Sequence, residues 1–212
     1  MSAVRFFIYS LSLSAAAFAA HQELIKADAP VAYWRFDDSL DCCAQEAAFQ
    51  HGLKAERTDV VSLVEPGPRG PKFPGFDAHN LAADFTAAGG PAFLRVKDSG
   101  AKSVFDFGKG DTVTAEAWVR CDGVKGDDNV YVVGKGRTKA GSTNQNWALR
   151  LRGARVDGKP VACVSFLFRD EKDAGEGSWH RWTSTRGFTP GEEWQHIATS
   201  YTFGKPDRKS VV

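Results

Sequence analysis

Thr112-Val113-Thr114-Ala115-Glu116-Ala117-Trp118-Val119-Arg120 alternates small apolar residues with polar or bulky ones at every second position. In an extended chain successive side chains point to opposite faces. Val113, Ala115, Ala117 and Val119 therefore share one face, and Thr112, Thr114, Glu116 and Trp118 share the other. The same period recurs on both sides. Val31–Phe36, Leu81–Phe85, Ala92–Val96, Val130–Val133, Trp147–Arg152, Val161–Phe168 and Trp194–Phe203 all read as strands. Turn-forming runs separate them: Pro66-Gly67-Pro68, Gly89-Gly90-Pro91, Asp98-Ser99-Gly100, Asp157-Gly158 and Pro190-Gly191. Gln22–Ala27 and Ala44–Ala55 have short helical character, and Gln45–Phe76 is the least regular stretch. Many strands joined by Gly- and Pro-rich connections predict an all-β sandwich or jelly roll.

The composition agrees. The 212 residues include 21 Gly, 15 Phe and 6 Trp against a single Met, which suits strands and turns better than a helical bundle. Lys and Arg number 27 and Asp and Glu 26, so the charge excess a nucleic-acid binder would carry is missing. Residues 1–19 read as a signal peptide. Arg5 supplies the positive charge, Phe6 to Phe18 is uncharged, and Ala17-Phe18-Ala19 is an A-x-A pattern that places the cut after Ala19. The apolar run is shorter than the roughly 20 residues of a membrane-spanning helix. Residues 20–212 are expected as one exported domain, periplasmic or extracellular, with no membrane span.

Cys42, Cys43, Cys121 and Cys163 are possible disulfide cysteines in an oxidising compartment. A bridge between the neighbours Cys42 and Cys43 is strained, so the remaining pairings would tie an early loop to the middle strands. A buried free thiol is the alternative, above all for Cys163 inside its apolar run. Zinc is disfavoured because no C-x-x-C pair is present.

Four segments carry a family resemblance. Asp28-Ala29-Pro30-Val31-Ala32-Tyr33-Trp34-Arg35-Phe36 resembles the opening strand of concanavalin A-like, laminin-G-like domains, and Thr112–Val119 resembles their "FTxEAWV" strand. Val133-Gly134-Lys135-Gly136 with Asn146-Trp147-Ala148-Leu149-Arg150-Leu151 is similar to their "xxKG…NYALxL" pair. Trp194-Gln195-His196-Ile197-Ala198-Thr199-Ser200-Tyr201 is similar to their "WHHVAxTY" strand. The fuller wording most resembles the laminin-G-like part of large exported planctomycete proteins that also carry cytochrome-c-like domains. The resemblance implies a concanavalin A-like jelly-roll sandwich of two antiparallel sheets, binding carbohydrate or protein without catalysis. In that family further strands follow the "WHHVAxTY" strand. The expectation is that Trp194–Phe203 is the final strand here, with its following partners and the neighbouring domains missing.

Chemistry-bearing residues are few. A retaining glycosidase of this class needs two carboxylates about 5 Å apart, yet Glu116 is the one acid inside a clear strand and is flanked on its face by Thr114 and Trp118. The expectation is therefore no enzyme and no cofactor. Trp179-His180-Arg181-Trp182 reads as a loop or short hairpin whose rings and polar tips suit a sugar or peptide ligand. Asp122, Asp127 and Asp128 are weak candidates for oxygen ligands to Ca²⁺. His196 reads as a hydrogen-bonded core or face histidine, and Trp34, Trp118, Trp147 and Trp194 as core. A domain that merely spaces its neighbours, with no ligand, is the competing reading. The export reading is checked by mass spectrometry of the natural product, which is expected to find Ala20 at the N-terminus rather than Met1.

Overall fold

The computed structural model describes residues 23–36, 53, 55–86, 89–101, 103–136, 146–169, 179–191, 193–204 and 209–211. The described chain is almost wholly β, with one helical turn over residues 23–27, and every strand pairing is antiparallel. Within the span read as one domain, the chain divides into two compact units, Met1–Ala101 and Lys102–Val212. The signal segment 1–19, Cys42, Cys43 and residues 44–52 of the second expected helix lie outside the described residues.

In the first unit β1 (Ala55–Arg57) pairs with β4 (Leu94–Val96), and β2 (Ser62–Pro66) pairs with β3 (Leu81–Asp84). Two of these strands fall inside 45–76, the stretch expected to be irregular. Val61 and Ala55 are buried, and Arg57 donates to the Val61 carbonyl. The Pro66-Gly67-Pro68 corner closes on Asn80. Gly67 N–H donates to the Asn80 carbonyl, and the buried Asn80 amide donates to the Pro68 carbonyl. A Cβ on Gly67 would stand 2.6 Å from that amide, so glycine is required there. Val31–Phe36 is a correction: residues 32–36 run without ladder pairing, between the left-handed residues Ala29 (φ 47°) and Phe36 (φ 61°). Both ends turn away from the extended geometry a strand needs.

The second unit holds the longer strands: β5 (Thr112–Val119), β6 (Asn129–Lys135), β7 (Trp147–Val156), β8 (Lys159–Arg169), β9 (Trp179–Phe188), β10 (Gln195–Thr202) and β11 (Lys209–Val211). They form a four-stranded sheet in the order β6-β7-β8-β9 and a three-stranded sheet in the order β11-β10-β5. The Asp157-Gly158 pair makes the β7–β8 hairpin. Both residues have positive φ (50° and 76°) between the facing Val156 and Lys159, the geometry of a two-residue type I′ turn.

The two sheets share one core. Leu149 and Leu151 of β7 lie opposite Phe166 and Val164 of β8, and this face packs with Ile197 of β10 and with Ala115, Ala117 and Val119 of β5. Trp147 and Phe166 pack with Val113 and Tyr201. The buried Trp147 indole N–H donates to the Phe105 carbonyl at 2.9 Å, so its polar atom is satisfied. The alternation read at Thr112–Val119 is the one found, with Val113 inward and Thr112, Thr114 and Glu116 exposed.

Two expectations change. The 194–203 strand is not the last, because β11 pairs with β10 from Thr199 to Tyr201 on the side opposite β5. The strand expected to lack its following partner is the centre of its sheet. Cys121 and Cys163 are both buried and free, the alternative offered for Cys163, so neither carries the inter-loop bridges considered. Burial pushes the Cys121 thiol up, aided by the nearby Asp122 charge and opposed by a hydrogen bond with the Gly123 backbone. The fold predicts that Phe166→Ala, which empties the middle of the shared core, costs about 3–5 kcal/mol of stability in a urea titration.

Candidate functional site

Strand alternation decides what the Trp179–Trp182 quartet does. These residues begin β9 rather than a loop, and β9 pairs with β8 so that His180 faces Phe168 and Trp182 faces Phe166. Both rings therefore point into the sandwich. His180 stacks on Phe168 with centroids 4.6 Å apart, and Trp182 stacks on Tyr201 at 4.9 Å. Phe168 also meets Tyr201 and Phe203 at 5.0 and 4.9 Å. These aromatic pairs add to the area term that holds the end of the core together.

Trp179 and Arg181 stand on the opposite face. Trp179 is paired across the ladder with Arg169, and Arg181 with Leu167. The guanidinium groups of Arg181 and Arg169 lie 5.2 and 5.5 Å from the Trp179 ring, within cation–π range. The four residues are two pairs separated by the thickness of a sheet. The sequence reading missed β9 because Gly175, Glu176 and Gly177 upstream and Gly187 within it read as loop.

A second polar surface is the outer face of β5 and β10. Its facing pairs are Trp118 with His196, Glu116 with Ala198, Thr114 with Ser200, and Thr112 with Thr202. Glu116 Oε2 is 3.5 Å from His196 Nε2, and the side chains are 45% and 43% exposed. Screening by solvent leaves such a pair little weight in stability. Trp118 and His196 rings are 5.3 Å apart. Thr112 and Thr202 hydroxyls share a hydrogen bond of 2.8 Å, and Thr114 donates to Ser200 at 3.1 Å. His196 is thus a face histidine. Trp118, expected in the core, lies half-buried on this outer face, while Trp147 is fully buried and Trp34 and Trp194 are half-buried.

The calcium candidates do not converge. Asp122, Asp127 and Asp128 are all exposed, and Asp127 faces Arg152 at 3.9 Å. No group of three or more His, Cys, Asp or Glu among the described residues is arranged to hold a metal ion. No helix among them is long and apolar enough to cross a membrane. Comparison with known proteins adds no relative: no family model, curated protein or solved structure matches the chain.

The split of the quartet has a measurable consequence. Trp182→Ala removes a ring stacked inside the core and is expected to cost about 2–4 kcal/mol. Trp179→Ala, which removes cation–π contacts on the other face, is expected to cost about 1 kcal/mol. Urea titrations of the two variants check the ordering, and equal losses would contradict the alternation.

Proposed function

We propose that this chain is an exported, non-catalytic recognition module that binds carbohydrate or protein as part of a larger surface or periplasmic protein. The observation that supports it is the exposed face of β5 and β10. There an indole, an imidazole, a carboxylate and a double row of hydroxyls lie side by side on paired strands. Such a surface combines an apolar ring with hydrogen-bonding groups of both polarities, the mixture that ligand recognition uses. The rigid ladder beneath holds these groups at fixed spacing, so little ordering is needed on binding.

The same face speaks against hydrolysis. Glu116 has Thr114 and Trp118 beside it on β5 and His196, Ala198 and Ser200 across from it. None of these is the second carboxylate, about 5 Å away, that a retaining glycosidase uses.

A glycan array and a pull-down with the full-length natural protein test the reading. A ligand whose binding falls at least about tenfold in both Trp118→Ala and Glu116→Gln is expected, since each removes one contact class from the face. Silence in both experiments overturns recognition in favour of a spacer domain. Release of reducing sugar that disappears in Glu116→Gln overturns the non-catalytic part.

A further inference from the structure

We draw no further inference here: the strongest candidate, the side-chain cluster of Arg150, Ser165 and Thr183 on the outer face of the four-stranded sheet, carries nothing because nothing in the structure shows what covers the face in which Arg150 and Ser165 are buried.

Discussion

Phe166 and Tyr201 meet across the gap between the two sheets, their rings 5.9 Å apart, and the rest of the second unit is arranged around that contact. Phe166 is fully buried at the middle of β8, and Tyr201 sits where β10 is flanked by both β5 and β11. Burying rings of this size is worth several kcal/mol each, a large part of the margin by which a domain is stable. The register on both sides is tied to it. A slip of one residue in β8 would turn Phe166 and Val164 outward and bring Ser165 and Cys163 into the core.

That constraint sorts the polar groups. With inner faces committed to Leu149, Leu151, Val164, Phe166, Ile197 and Val113, every second residue of each strand must face away. On β5 and β10 those residues are exposed or half-buried and form rows of hydroxyls, a carboxylate and an imidazole. On β7 and β8 they are buried, as Ala148, Arg150, Cys163, Ser165 and Leu167 show. Arg150 is thus a charge held where the dielectric is low, and Ser165 is the hydroxyl that keeps its Nε satisfied. The two outer faces differ in character although both follow from one alternation rule.

Glycines fit the same scheme where backbones crowd. A Cβ on Gly153 would stand 2.2 Å from the Gly126 carbonyl oxygen, and one on Gly187 would stand 2.8 Å from the Ala162 carbonyl oxygen. At Gly153 glycine lets the 123–128 segment lie directly on β7, and at Gly187 it lets β9 approach the backbone of β8 closely. Gly187 faces Cys163 beside the register shift between Cys163 and Ser165, so the irregularity of β9 and its glycine belong together.

The sequence by itself determined the class and much of the strand set, because period-two alternation at Thr112–Val119 and the apolar run at Val161–Phe168 are local signals. It also marked Asp157-Gly158 as a turn, and the β7–β8 ladder made that turn a two-residue hairpin. It did not reveal β1, β2, β9 and β11. Those are short or broken by glycine and proline, and pairing with a neighbouring strand is what holds them extended. The candidate site was legible residue by residue but not as an arrangement. Trp179, His180, Arg181 and Trp182 were visible as a polar aromatic cluster, and only the ladder to β8 decided that His180 and Trp182 serve the core while Trp179 and Arg181 face the other way. Glu116 and His196 are 80 positions apart in sequence. The β5–β10 register alone brings them within 3.5 Å, because side chains from distant segments share a face only once their backbones have paired.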